Sequence, residues 1–293
     1  MTCVALIITL FIEGPIRMTR LKEEDINKIG PTLHAYDAHL AKTTGLTLKE
    51  ISIRAAGLAE REMDDALAST RVGVIPITTG QGVIKGFIEA VGDILRHLGA
   101  SVFQSEASDI GGLAEVIERG ANIVFCADDR RFIGLSLLLK KVVDNSEATA
   151  RGYVEALQAV VRGLKGREVL VIGGAGQVGL HAVRVLEEKG ARVAVFDPDR
   201  ERLISLLEGR RILVHRDLEK ALRSYDILFD ASPAANIIRP EHIKRDTAIA
   251  APGIPLGLTE EAYALAKDRL IHDPLQIGVG TMLAEAISNG PED

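Results

Sequence analysis

Three aspartates at the ends of apolar runs are the residues of this chain best suited by type and placement to do chemistry. Asp128 and Asp129 follow Ile123-Val124-Phe125-Cys126-Ala127, and Asp273 follows Ile271-His272 and precedes Pro274. Adjacent carboxylates just past a sheet strand can bind a cationic amine, and one of them can take its proton. Spacing alone leaves competing readings open: an N-cap or surface pair for Asp128 and Asp129, and a turn aspartate for Asp273. Asp144-Asn145-Ser146 stands before a helix-forming run, where capping competes with a ligand contact. His34, His39, His97, His181, His215 and His242 are scattered without ligand spacing, and no HExxH run occurs, which predicts no metal. There is no Gly-x-Ser-x-Gly nucleophile turn. No lysine of the kind that oxidative amino-acid dehydrogenases use stands at a predicted strand end.

A second pattern says what such carboxylates could serve. The run Val169-Leu170-Val171-Ile172 empties into Gly173-Gly174-Ala175-Gly176-Gln177-Val178-Gly179. Gly174, Gly176 and Gly179 have Gly-x-Gly-x-x-Gly spacing. A helix is expected over 181–189, then a strand over Arg192–Phe196 ending on Asp197. The first glycine permits the tight turn, the second lets backbone approach a diphosphate, and the third lets helix and strand pack closely. The helix N-terminus offers unpaired N–H groups to phosphate, and Gln177 and Val178 of the turn are expected to contact the cofactor with the glycines. A carboxylate about 20 residues past the turn can accept both hydroxyls of a ribose, which favours NAD over NADP. Glycines alone would carry little weight. Strand, glycines, helix, strand and acid together predict a Rossmann dinucleotide domain.

The rest of the sequence must position these groups. The 293 residues point to about two domains. Charged residues make up 26% and hydrophobic ones 47%, an ordinary globular composition. The net charge of −6, without a basic stripe interleaved with aromatics, argues against nucleic acid. Cys3 and Cys126 form neither a CxxC pair nor a disulfide framework, which fits a reducing cytoplasm. The apolar stretch over residues 2–12 is too short to cross a bilayer and lacks the flanks of a signal peptide, so no membrane partner is expected. Met18 opens a polar, helix-prone stretch, and residues 1–17 read as an upstream extension.

Three regions follow. Residues 18–69 read as a helical segment, with Leu21, Ile26, Ile29, Leu33, Tyr36 and Leu40 at helical spacing. Thr47-Leu48-Lys49-Glu50 forms a capping box whose helix is expected to run past Ala56. Residues 70–164 alternate strand and helix, which predicts a small parallel α/β domain. Strands are expected over 72–77, 101–104 and 121–127, helices over 84–98 and 112–119, and a linking helix over 146–164. Residues 165–293 form the Rossmann domain, with further strands over 212–215, 227–229, 248–251 and 271–274 and a last helix over 281–288. Ala231-Ser232-Pro233 and Ala251-Pro252-Gly253 fall at strand ends, so Ser232, Pro233 and Pro252 are expected on the nicotinamide side.

Several segments together are more specific than any of these patterns. They are Asp37 with Thr44-Gly45-Leu46, Val72-Gly73-Val74-Ile75-Pro76-Ile77-Thr78-Thr79-Gly80-Gln81-Gly82, and Ile123-Val124-Phe125-Cys126-Ala127-Asp128-Asp129. The glycine turn, Ala251-Pro252-Gly253-Ile254-Pro255 and Asp273-Pro274-Leu275-Gln276-Ile277-Gly278 add to them. From Met18 onward the chain resembles the PylD family, the pyrrolysine synthases. The resemblance implies an α/β protein with an N-terminal helical segment, a small α/β domain and a Rossmann domain, working as a homodimer. It also implies NAD-dependent oxidation of the carbon bearing the terminal amine of lysine-Nε-3-methylornithine, loss of ammonia and closure of the pyrroline ring.

By position, the resemblance makes Asp128 a substrate-side carboxylate active in proton transfer. It assigns Asp273 to amine binding or proton relay, Asn145 to a polar substrate contact and Thr79 to the substrate neighbourhood. Leu21 becomes a lid residue on the first helix. Asp129, from its charge beside Asp128 and not from the resemblance, is expected as a further substrate contact. Gln177 stands where relatives more often carry Lys or Arg. Two other readings remain on the residues alone: another NAD-dependent amino-acid or imine oxidoreductase, and a non-catalytic NAD(H)-sensing protein.

Overall fold

A computed structural model describes residues 21–288. The expected extension over residues 1–17 lies outside the described residues. Four helices open the described residues: α1 (Glu23–Ile26), α2 (Ile29–Thr44), α3 (Leu48–Ala56) and α4 (Glu60–Ser69). The capping box forms as expected. Glu50 donates its N–H to Thr47 Oγ1 (3.2 Å), and Thr47 donates its N–H to Glu50 Oε2 (2.7 Å). The helix does not run past Ala56, because Gly57 sits in the left-handed region at φ 70° and ends it.

The next unit holds β1 (Arg71–Ile75), α5 (Phe87–His97), β2 (Ser101–Gln104), α6 (Asp109–Glu118), β3 (Ile123–Ala127), β4 (Phe132–Ser136) and β5 (Lys141–Asp144). The sheet order is β2-β1-β3-β4-β5. β1, β2 and β3 are parallel, as the strand–helix alternation predicts. β4 and β5 extend the sheet antiparallel, an addition the sequence pattern did not disclose. Asp128–Arg131 is therefore a hairpin turn and not the start of a helix: Ala127 pairs with Phe132, and the Asp128 N–H donates to Arg131 O (2.9 Å).

The linking helix α7 (Asn145–Val161) leads to the second sheet. Its elements are β6 (Glu168–Ile172), α8 (Gln177–Glu188), β7 (Arg192–Phe196), α9 (Arg200–Leu206), β8 (Leu213–Val214), α10 (Leu218–Ser224), β9 (Ile227–Asp230), β10 (Ala248–Ala250), α11 (Glu260–Ala266) and β11 (Leu270–Ile271). All six strands are parallel in the order β11-β10-β9-β6-β7-β8. The order reverses at β6 and β9, the switch point where such sheets open a ligand crevice at their carboxyl ends.

The last helix, α12 (Gln276–Ile287), starts five residues earlier than expected and does not cover the second sheet. It returns to the N-terminal unit and packs between α3 and α7. Glycines permit this approach. A Cβ at Gly152 would lie 2.4 Å from Thr281 Oγ1, and one at Gly280 would lie 2.5 Å from Ser52 Oγ. The chain thus crosses between its two sheets twice, after α7 and after β11.

Candidate active site

The glycine turn has the geometry its spacing demands. Gly173 is at φ 82°, and a Cβ at Gly179 would lie 2.1 Å from Gly173 O. A Cβ at Gly174 would lie 2.1 Å from Val195 Cγ1, so only glycine lets the turn rest on β7. Gly176 is the N-cap of α8 and supplies no side-chain cap, so the first N–H groups of the helix, from Gln177 and Val178 on, are left to a ligand. Asp197 ends β7 and faces the turn: its Oδ2 accepts the Ala175 N–H (2.9 Å) and its Oδ1 the Asp199 N–H (2.9 Å). An uncapped helix start, backbone without side chains and a half-buried carboxylate beside it fit the diphosphate and ribose of a dinucleotide.

From the turn, contacts run along the carboxyl edge of the sheet from β6 to β11. Ala231 donates its N–H to Ile172 O (2.9 Å), and Gly253 donates to Asp230 O (3.1 Å). A Cβ at Gly253 would lie 2.2 Å from Ser232 O, so the loops carrying Ser232, Pro233 and Pro252 are in contact. His272 Nδ1 meets Ala251 O at 2.7 Å. Asp273 comes next, but it is enclosed instead of facing a cleft. It is 4% exposed; Tyr36 donates its hydroxyl to Oδ2 (2.7 Å) and Ile277 its N–H to Oδ1 (3.2 Å). Tyr153 Oη also donates to Asp273 O and accepts the Asp273 N–H, both at 2.8 Å. Burial raises the carboxyl pKa, while the Tyr36 and Ile277 bonds oppose that rise. The expected amine-binding or proton-relaying carboxylate thus anchors the start of α12, because both its oxygens are taken.

Asp128 is differently disposed. It is exposed in the hairpin turn, and its Oδ1 accepts the N–H groups of Arg130 and Arg131 (both 2.8 Å). Those two bonds fix the carboxylate and leave Oδ2 without a partner among the described residues. Arg131 donates to Asp144 Oδ2 (2.9 Å from Nη2), and Asp144 Oδ1 caps α7 through the Ser146 N–H (2.9 Å). Asn145, the first residue of α7, has its Oδ1 2.9 Å from where a Cβ of Gly278 would stand. Gly278 lies one residue past Ile277, which Asp273 caps. The turn of Asp128, the start of α7 and the start of α12 therefore form one connected rim.

The loop after β1 completes that rim. Asp129, expected as a substrate contact, spends Oδ2 on the Gln81 N–H (2.7 Å). Asp109 holds the other end of the loop: it accepts the Thr78 N–H at 2.8 Å and the Thr78 hydroxyl at 2.5 Å. Those two bonds hold its carboxyl below the usual range. The exposed Thr79 sits between the two clamps. Leu21 is half-buried and packs on the core two residues before α1, not within it.

Glu219, Glu241 and His242 place ligand-type atoms within 4.8 Å of one another. The arrangement suits an ion-pair cluster. His242 Nδ1 accepts the Arg239 N–H (3.0 Å), so its proton is on Nε2, which faces Glu219 (3.0 Å). Arg223 and Arg239 pair with the carboxylates. Among the described residues no helix is long and apolar enough to cross a membrane.

The sequence model of the pyrrolysine biosynthesis protein PylD, N-terminal domain, matches residues 25–143. Residues 25–143 are thus similar to the N-terminal domain of PylD proteins. A second model, described as putative NAD(P)-binding, matches residues 160–240. The pyrrolysine synthase of Methanosarcina barkeri (strain Fusaro / DSM 804) is 29% identical over 268 residues, 92% of this chain and 98% of that protein. Among solved structures, the FolD methylenetetrahydrofolate dehydrogenase/cyclohydrolase of Campylobacter jejuni matches with a TM-score of 0.54 at 14% identity, covering 85% of this chain and 97% of its own. Shikimate dehydrogenase from Aquifex aeolicus matches with a TM-score of 0.51 at 15% identity, covering 74% and 91%. Those two likenesses show a shared fold.

Four polar residues of the rim and of the carboxyl edge of the second sheet carry no role in the sequence reading: Tyr36, Asp109, Tyr153 and Asp230. Tyr36 reads only as one of the residues at helical spacing, and Tyr153 falls inside the expected linking helix with no role of its own. Asp230 carried a usable signal, since it ends an apolar run as Asp128 and Asp273 do.

Proposed function

We propose that the protein oxidises the carbon bearing the terminal primary amine of lysine-Nε-3-methylornithine with NAD⁺, releases ammonia and closes the ring to give pyrrolysine. The observation that carries this reading is the Asp128 turn: a carboxylate fixed by two backbone donors, with one oxygen free, on a rim shared with the starts of α7 and α12. The substrate brings a primary ammonium. A carbon beside nitrogen gives up hydride only when that nitrogen has a lone pair, so a proton must leave first. Asp128 Oδ2 binds the ammonium and takes that proton.

Bound along the glycine turn, NAD⁺ would supply the hydride acceptor. Gly174, Gly176, Gln177, Val178 and Gly179 would hold its diphosphate, Asp197 its ribose hydroxyls, and Ser232, Pro233 and Pro252 its nicotinamide side. The iminium left on the substrate loses ammonia to water, and the α-amine of the ornithine part closes on the same carbon with loss of that water. Asn145 and Thr79 orient the chain of the substrate, and Leu21 with α1 excludes water over it. Asp129 and Asp273 act at one remove, as holders of the Thr79 loop and of the start of α12. The 29% identity to a pyrrolysine synthase along nearly the whole chain supports this choice of substrate.

The test is NADH absorbance on mixing protein, NAD⁺ and lysine-Nε-3-methylornithine, with the product weighed by mass spectrometry. NADH together with a product lighter by ammonia and two hydrogens supports the proposal. NAD⁺ binding without NADH formation, or turnover only with free ornithine or lysine, overturns it.

A further inference from the structure

Asp230 ends β9 with its side chain fully enclosed. Its Oδ1 accepts both the N–H (3.1 Å) and the hydroxyl (2.6 Å) of Ser232. Among the described residues its Oδ2 has no hydrogen-bond partner, and a Cβ at Gly257 would stand 2.1 Å from that oxygen. Among the described residues no Lys, Arg or His forms an ion pair with it. An enclosed carboxylate with a bare oxygen and no cation is costly. Burial pushes its pKa up to about 6, so at neutral pH it is charged. If Ser232 needed only a partner, asparagine would supply the same accepting oxygen without a charge. The carboxylate is therefore a fixed negative charge in a dry position, under the crest formed by the loops after β9 and β10.

The chemistry proposed at that crest gives such a charge a use. Oxidised nicotinamide carries one positive charge and reduced nicotinamide none, while the remaining charges of the dinucleotide are the same in both. We propose that Asp230 makes the site discriminate between the two, holding NAD⁺ and favouring the departure of NADH. This inference rests on the reading of Ser232, Pro233 and Pro252 as the nicotinamide side. Ser232, its hydroxyl proton given to Asp230, presents only lone pairs and can accept a carboxamide N–H. That contact is alike for both forms, so the discrimination comes from the charge.

The experiment is direct titration without substrate, NADH by its fluorescence and NAD⁺ by calorimetry, on the wild type and Asp230→Asn. The ratio Kd(NADH)/Kd(NAD⁺) is expected to fall about tenfold in the variant, roughly 1.4 kcal/mol. A circular-dichroism melt reports whether the variant is folded. Asp230→Ser, smaller and also uncharged, should show the same fall if the asparagine variant does not fold. An unchanged ratio in either folded variant overturns the inference, as does equal weakening of both forms, which would make Asp230 only a prop for Ser232. A wild type that binds neither dinucleotide would overturn the proposed function as well.

Discussion

The hydroxyl of Tyr36 donates to Asp273 Oδ2 across 2.7 Å, tying helix α2 to the end of the last strand of the second sheet, 237 residues away. Replacing Tyr36 by Phe keeps the ring and removes the donor from a buried carboxylate. The expected loss is about 1–3 kcal/mol of stability, read as a lower urea midpoint. The buried Asp273 should take up a proton more readily, because the bond that opposes its raised pKa is gone. NAD⁺ affinity should stay near the wild-type value.

Asp128 can be separated into its structural and chemical halves. Asp128→Asn keeps an oxygen for the N–H groups of Arg130 and Arg131 but cannot take a proton. It should lower kcat by about a hundredfold or more, within the range for loss of a general base, and leave the Kd for NAD⁺ unchanged. Asp128→Ala should lose that turnover and also loosen the turn. Normal turnover in the asparagine variant would remove Asp128 from the chemistry.

Asp197 should decide between the two nicotinamide dinucleotides. A carboxylate placed to accept ribose hydroxyls repels a 2′-phosphate. The wild type should bind NAD⁺ more tightly than NADP⁺, and Asp197→Ala should weaken NAD⁺ about tenfold and narrow the preference. Binding isotherms with the two cofactors check this, and a wild-type preference for NADP⁺ would contradict the role given to Asp197.

Buried acids should also shape stability against pH. Asp230 has its carboxyl raised from 3.8 to about 6, and Glu285, on α12 beside Arg151, from 4.5 to about 7, both chiefly by burial. The folded chain therefore holds these protons more tightly than the unfolded chain. The contribution is fully present below the ordinary carboxylate range and is lost as pH rises through about 6 and 7. For Asp230 the loss comes to about 3 kcal/mol at neutral pH. Asp230→Asn should accordingly raise the urea midpoint at neutral pH and change it little near pH 4. A variant less stable at neutral pH would contradict this.

The parts of this fold that could be read in the sequence are those held by local pattern. The Gly174–Gly179 turn, the strand ending at Asp197, and the alternation over β1, α5, β2, α6 and β3 all occur where periodicity and glycine spacing put them. β4 was missed because the turn Asp128–Arg131 has none of the Asn-Gly or Gly-Gly signals of a two-residue hairpin. Its pairing rests instead on side-chain bonds from Asp128. The start of α12 was missed because Gly278 and Gly280 weaken a helix seen in isolation. Here they are needed for close packing on Thr149 and Ser52. Asp273 looked like an open strand-end acid because the residues that enclose it, Tyr36 and Tyr153, are 237 and 120 positions away. Asp109 and Asp129 serve a loop 31 and 48 residues upstream, a pairing that no local pattern reveals.

The return of α12 has a consequence for how the chain matures. Its buried face, Ile277, Val279, Met282 and Leu283, fills a space between α3 and α7 that no nearer segment occupies. During synthesis, the first sheet and its helices emerge well before residues 276–287. They must wait, with that face open to solvent, until the whole second domain has left the ribosome. Synthesis of this N-terminal unit and its folding are thus separated by more than a hundred residues of chain (161–276). A messenger cut short within the second domain would leave an N-terminal unit without its last helix, a natural substrate for chaperones and proteases.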